Sequence, residues 1–529
     1  MTSNTRAFPE DSVGRWISVD GHQGIVRYAG SVDGTVGQWL GIEWADPQRG
    51  KHRGRTKDGK QYFTCHLSSE TKGSFIRCVD RIDWGQTVLD AARARYIEAT
   101  NEVLPSTIDG RRRGRIEAVG FDKVAKEQGD LRTLDVLGLD SYRVYGIGTA
   151  ADQRTLSREL LGNAHTLLLA NNYLTRWTEV TDILQTLGSI RTLDISANHF
   201  ATPLETDNDC PVVLDVLRVD SSPMLSWTDV SAAARQLHVR SLSFGWSSLT
   251  DLTHSGIGDL EYLVELHLEC NSVADISALA LLPRLRVLDL KGNRALFDLP
   301  EMQTGWFPML ESLNLAHTGI SAWQQIDRLA QIPRLTTLNL AQTPLFQSNN
   351  PSSSIDCARA QVIGRLSTIT KLDGAYVAPE ERTELERFYL TLCARQSPKD
   401  TDDPRVLLDS LALLFPRIRE LAAKHGSPRI PRTQESRLKS RLAATTIEIA
   451  QGPDIRSATV LRTETKPLIR TMLVRQLRPI AMRLAQTRAF KMYLCADGSR
   501  DEWVCLDADT RELAFYGLED QVSIIRILT

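Results

Sequence analysis

The stretch Gly50-Lys-His-Arg-Gly-Arg-Thr-Lys-Asp-Gly-Lys-Gln61 gathers more charge and more glycine than any ordinary turn requires. Gly54 to Lys60 fits G-x-x-x-x-G-K, the opening of a loop whose backbone amides and lysine cradle nucleotide phosphates. That chemistry also needs a Ser or Thr after the lysine to hold magnesium, and a helix whose N-terminus meets the phosphate. Gln61 occupies the hydroxyl position and "QYFTC" (61–65) reads as a strand, so the sequence argues against nucleotide binding here.

Lys51, Arg53, Arg55, Lys57 and Lys60 are opposed only by Asp58. His52 adds conditional charge. Trp39, Trp44, Tyr62, Phe63 and Phe75 surround the loop in sequence. Basic groups beside exposed rings suit nucleic acid, with bases stacked and phosphates paired. They equally suit an acidic peptide ending in an aromatic residue. A third reading is a solvated turn over a barrel whose aromatics are core, which fits at least one of Tyr62 and Phe63.

Composition narrows the classes. A net charge of −2 argues against a dedicated nucleic-acid binder. The ten histidines show no ligand spacing and no nucleophile constellation is visible, so neither an enzyme, a metal site nor a cofactor is expected. Eight cysteines lie scattered without C-x-x-C, as in a reducing intracellular compartment. Cys65 and Cys78 are expected as buried thiols rather than a bridge. The N-terminus lacks an apolar signal core and no stretch is long enough to span a membrane.

The elements that position these residues fall into distinct regions. Glycines at 14, 21, 24 and 30 punctuate alternating segments, the mark of a small all-β barrel over 11–84. A linker with helical character follows over 85–130, carrying the basic run "GRRRGR" (110–115), which reads as a solvated turn. From 164 the pattern L-x-x-L-x-L recurs with leading positions 164, 190, 214, 239, 263, 285, 310 and 335, in steps of 22 to 26 residues. "LRTLDVLGL" at 131–139 extends it. This is the leucine-rich-repeat period, and it predicts an α/β solenoid over 131–375 whose repeats are stable only when stacked. Asp194, Arg218, Asp220, Glu265, His267, Glu269, Asp289 and Lys291 fall on the outward face of its concave sheet. As a set they form a candidate partner surface with acid in excess; singly, each also fits a solvated position.

The Ser/Asn/Pro-rich "QSNNPSSS" (347–354) reads as a loop. A helical C-terminal cap is expected over 376–426, starting at Pro379 with Glu380 and Glu381 in its first turn and closing at Gly426. After a linker (427–440), 441–529 reads as ββαββ ending in a strand: a hairpin, a helix over "KPLIRTMLVRQLRPIAMRLA" (466–485), then further strands. That is an α+β ubiquitin-like (β-grasp) layout, and it ends without the Gly-Gly used for conjugation.

"GHQGIVRYAG" (21–30), "WLGIEW" (39–44), "PQRGKHRG" (47–54) and "YFTC…GSFIR" (62–77) resemble the CAP-Gly domain family nearly throughout. The resemblance implies a groove for the acidic C-terminal tail of α-tubulin and similar proteins, with Trp39, Lys51, His52, Phe75 and Arg77 at its peptide-binding positions. His52 stands where the family has Asn, Arg53 where it has Asp, and Gly34 where some members carry an aromatic.

The order of CAP-Gly, leucine-rich repeats and ubiquitin-like end resembles the tubulin-folding cofactors, as does "VGFDKVAKEQGDL" (119–131). This resemblance implies a monomeric cytoplasmic, cytoskeleton-associated chaperone. Its CAP-Gly domain would take the α-tubulin tail and its repeats the tubulin body. With other tubulin-folding cofactors it would assemble or dissociate the αβ heterodimer, while the ubiquitin-like end would meet a partner cofactor or the degradation machinery. The alternatives are a microtubule-associated CAP-Gly adaptor and an RNA-binding adaptor using the basic loop.

Overall fold

Aspartate 20 and Gly21 both adopt positive φ (54° and 81°), the two-residue turn whose twist suits a hairpin. It joins β1 (Trp16–Val19) to β2 (His22–Ser31), and β3 (Gln38–Trp44), β4 (Gly73–Arg77) and β5 (Ile82–Asp83) complete an antiparallel sheet ordered β4-β3-β2-β1-β5. Alternation sends Leu40, Ile42 and Trp44 of β3 into the core with Ile17, Val19 and Val26. Trp39 and Gly41 therefore face the opposite side.

This is a computed structural model; it describes residues 8–9, 11–67, 72–77, 81–98, 131–159, 163–206, 212–252, 260–346, 355–395, 404–426, 442–518 and 522–529. The run 110–115, the segment 119–130, the loop 347–354, the linker 427–440 and Cys78 lie outside the described residues. Two compact units emerge: 1–347 with 368–376, and 348–367 with 377–529.

In the first unit the solenoid strands stack in parallel from Val136–Gly138 through Thr166–Leu168, Thr192–Asp194, Val216–Arg218, Ser241–Ser243, Glu265–His267, Val287–Asp289, Ser312–Asn314 and Thr337–Asn339 to Lys371–Leu372. The 131–139 repeat thus heads the sheet. Central leucines such as Leu193, Leu217, Leu242, Leu266 and Leu288 pair in register and are fully buried. The buried asparagines lock the turns. Asn293 Nδ2 donates to Leu268 O (2.8 Å) and its Oδ1 accepts Val273 N–H (3.0 Å), both in the preceding repeat. Asn172, Asn198 and Asn271 do the same.

A second lock was not visible in the pattern. At one fixed place in each turn a residue is left-handed: Asn171, Ala197, Ser221, Trp246, Cys270, Gly292, His317 and Gln342. Each from Asn171 to His317 donates its N–H to a carbonyl of the next repeat at 2.7–2.9 Å.

The N-terminal sheet is seated on the solenoid within this unit. Trp16 stacks on His199 (3.7 Å, 15°), Arg15 lies 4.3 Å above the Tyr145 ring, and Gln86–Thr87 pairs in parallel with Val144–Gly146.

In the second unit the strands Leu442–Gln451, Thr459–Ile469, Lys491–Cys495, Val504–Cys505 and Ile524–Leu528 form a sheet in which the first and last are parallel neighbours at its centre. Val474, Leu477 and Ala481 of the helix Val474–Ala485 pack on it. That is the ubiquitin-like order. The expected helix start at 466 is corrected: Lys466 to Ile469 pair with Leu442 to Thr445, so the hairpin claims them first. The helices Pro379–Arg395, Pro404–Ala412 and Ile418–His425 form as read, and an unforeseen helix, Ile355–Arg365, packs Gly364 against Tyr389. The 379 helix meets the β-grasp sheet region through Phe388 on Phe515 (4.9 Å) and Glu384 with Arg511 (2.8 Å).

Candidate functional site

The outward face of β2, β3 and β4 builds the floor of a groove. Gly41 is flanked by Tyr28 on β2 and Phe75 on β4, and Trp39 by Arg77, whose guanidinium lies 4.9 Å above the indole. Having no side chain, Gly41 admits Phe63 from the loop above; a Cβ there would meet the ring at 2.4 Å. Gly54 and Gly73 leave the same space, since their Cβ atoms would meet Phe63 within 3 Å. Phe63 is consequently core, and the basic loop is wrapped over it. This corrects the strand expected at 61–65: the segment is extended but holds only an isolated bridge, Arg55 with Gln61.

The loop is pinned beside β4. Lys51 N–H donates to Gly73 O (2.9 Å) and Gly73 N–H to His52 O (2.6 Å). His52 stacks at a tilt on Phe75, 5.1 Å between centroids. Its Nδ1 accepts the Gly54 N–H (3.1 Å), which leaves Nε2 carrying the proton. Burial lowers the His52 pKa, so the ring is neutral at pH 7 and presents one N–H donor.

Arg53 is resolved by geometry. Its guanidinium donates to Cys65 O (2.8 Å), tying the two ends of the loop together across Phe63. Lys60 pairs with Asp33 (2.5 Å) and Arg55 with the Gln61 side chain (3.2 Å). Among the described residues no acidic group is paired with Lys51 or Lys57, so these two cations face solvent beside the groove. Gly34 sits at φ +72° with open space above it. Cys65 is a buried thiol, and burial pushes its pKa up to about 11.

Trp39, His52, Phe75 and Arg77 thus share one face, with Lys51 at its edge. Tyr28 was missed, and Tyr62, named beside the loop without being assigned to the groove, joins it. The rings meet edge-on, Tyr28 with Tyr62 at 5.3 Å and Tyr62 with Phe75 at 5.6 Å. The alternation of β2 could have found Tyr28; Tyr62 depends on a loop path that no period encodes.

On the concave sheet, the other candidates divide. Glu265, His267, Glu269, Asp289 and Lys291 come together across two neighbouring strands, and donor atoms of His267, Glu269 and Asp289 lie within 4.8 Å of one another. Burial and the adjacent Asp289 raise the Glu269 pKa, while Lys291 and His267 oppose the rise. The patch carries its own cation. Asp194 and Arg218 are lateral neighbours on the sheet. Asp220 is consumed internally, accepting Gly245 N–H (2.6 Å) and Ser243 Oγ (2.8 Å).

Residues 12–80 match the CAP-Gly domain family. Tubulin-specific chaperone E of Danio rerio is 28% identical over 541 residues, covering 98% of this chain and 99% of that one. The chain is similar to tubulin-specific chaperone E along nearly its whole length. Chaperone E of Homo sapiens is 26% identical over 96% of this chain and 97% of its own, and that of Drosophila melanogaster 28% over 97% of each. The solved C-terminal ubiquitin-like domain of mouse chaperone E aligns with 18% of this chain and 92% of its own, at 16% identity and a TM-score of 0.14. Internalin C2 of Listeria monocytogenes aligns with 36% of this chain and 75% of its own, at 20% identity and a TM-score of 0.24. The similarity to chaperone E spans nearly the whole chain, so it takes in the groove, the repeats and the ubiquitin-like end together.

Proposed function

We propose that this protein is a tubulin-folding cofactor that captures α-tubulin at two places: the acidic C-terminal tail in the groove of Trp39, Lys51, His52, Phe75 and Arg77, and the tubulin body on the repeats. In the cytoplasm, with other tubulin-folding cofactors, it promotes assembly or dissociation of the αβ heterodimer and performs no covalent chemistry. The full-length similarity to proteins named as tubulin-specific chaperones supports the role. The observation that carries the tail site is the floor of edge-on aromatic rings bordered by Lys51, a cation without an acidic partner among the described residues.

In this reading the tail's terminal ring lies against Tyr62 and Phe75, its carboxylates meet Lys51 and Arg77, and the His52 Nε2–H donates to a backbone carbonyl or carboxylate. A weak tail contact linked to a second surface raises the effective concentration of the client, giving firm but reversible capture.

The test is a titration of the full chain with a peptide copying the α-tubulin tail and ending Glu-Glu-Tyr. Beside it run a peptide lacking the tyrosine and the Lys51→Ala variant. Losing one charge-assisted contact is expected to weaken binding by about tenfold, and added salt should weaken it further. Binding indifferent to both changes removes the tail from this groove.

A further inference from the structure

A groove of about 820 Å³ runs along the edge of the solenoid sheet that leads into the strands, well away in sequence from the tail groove. Four successive repeats line it with the first and third residues ahead of their strands, 213 and 215 through 284 and 286, and Pro283 and Met309 complete it. Arg240, Arg284 and Arg286 supply three cations, with Asp215 the one acid in the lining. Arg240 is held only loosely by Asp215, at 4.0 Å. Arg286 pairs with Glu311 at 2.7 Å, outside the lining. Among the described residues Arg284 has no acidic partner, and it is exposed.

Between the arginines the wall is apolar. Tyr262 is 46% exposed and is held edge-on by His238, 4.9 Å away. Val264 and Met309 continue the surface. His238 is itself left-handed (φ 48°) just beyond the helix Trp227–Gln236. The helix Trp177–Leu187 ends on a left-handed glycine, Gly188, instead. A residue with a Cβ costs about 1 kcal/mol more than glycine in that conformation, and here its side chain serves to fix the Tyr262 ring.

We propose that this groove docks an extended acidic peptide segment bearing a hydrophobic side chain, its carboxylates on Arg240 and Arg284 and its apolar group on Tyr262. Parallel strands lie about 4.8 Å apart, so the four steps from the 213 repeat to the 309 repeat span about 19 Å, the reach of about six extended residues. A free phosphate or polyphosphate would use the arginines but leave the apolar wall idle. An internal segment suffices as the occupant, which sets the site apart from a groove that takes a chain terminus.

The test uses the full chain carrying Lys51→Ala, which weakens the tail groove about tenfold, with a probe whose blocked end offers that groove no free carboxylate terminus. The probe is a labelled peptide, Glu-Glu-Phe-Glu-Glu-Glu, amidated at its C-terminus. Saturable binding is expected, weakened about tenfold or more by Arg240→Glu with Arg284→Glu, where attraction becomes repulsion. Tyr262→Ala and a Phe-to-Ser peptide should each weaken it by about fivefold. All three side chains are exposed, so circular dichroism should show the variants folded. Affinity unchanged by the two charge reversals overturns the proposal. So does equal binding of the Phe-to-Ser peptide, short polyphosphate or an RNA oligonucleotide, which would mark a patch selective for charge alone.

Discussion

Phe63 organises the groove from beneath it. It fills the space left by Gly41, Gly54 and Gly73, and the loop bearing Lys51 and His52 takes its height from that ring. Gly41→Ala places a methyl 2.4 Å from the ring, and overpacking of this kind costs about 1–3 kcal/mol. The variant should melt earlier and bind the tail peptide more weakly, both measurable on one preparation. Gly34→Ala, in open space, should carry only the backbone cost of its positive φ, about 1 kcal/mol, and keep peptide affinity. At this scale the motif made Lys51 and His52 readable, and strand alternation placed Trp39, Phe75 and Arg77. Arg53 was not readable, because its role depends on a carbonyl twelve residues away across a loop. The rim groove was unreadable for a related reason: Arg240, Tyr262 and Arg284 are separated by 22 residues each and meet only once the turns stack.

At the scale of elements, the asparagine ladder should carry more stability than the charges beside it. Asn293→Ala leaves the Val273 N–H buried without its acceptor, at about 1–3 kcal/mol, while the Leu268 carbonyl keeps the Asn271 Nδ2 donor at 3.1 Å. Lys291→Ala, on an exposed side chain, should lie within about 0.5 kcal/mol of the parent. Urea midpoints at constant m-value separate the two. The repeats were legible because one apolar period is imposed on every turn, so each strand confirms the next. The helix Ile355–Arg365 escaped because its packing rests on Gly364 against Tyr389, a contact without periodic signature. The strand to Ile469 escaped because pairing with Leu442 to Thr445 overrides the helical pattern of the same residues.

At the scale of the whole molecule, the N-terminal sheet and the solenoid are joined through a titratable ring. Burial lowers the His199 pKa to about 4, so it docks against Trp16 as neutral imidazole. A depressed histidine value means that the docked state binds fewer protons than the released one. Docking is therefore fully favoured above about pH 6.5 and weakens as pH falls toward 4, by about 2 kcal/mol at pH 5. Trp16 fluorescence and protease sensitivity between 84 and 131 should both change on acidification from pH 7.5 to 5, and His199→Phe should remove the pH dependence while keeping the stack. The left-handed residue in each turn has a further consequence. It lies seven residues after the leading leucine or its equivalent in every repeat, from 164 to 171 through 335 to 342, although the repeats themselves step by 22 to 26. The concave side is thus a ruler of fixed gauge. Residues gained or lost are absorbed on the outer side of each turn, so the chain can change length without altering the spacing of the groups it offers to a client.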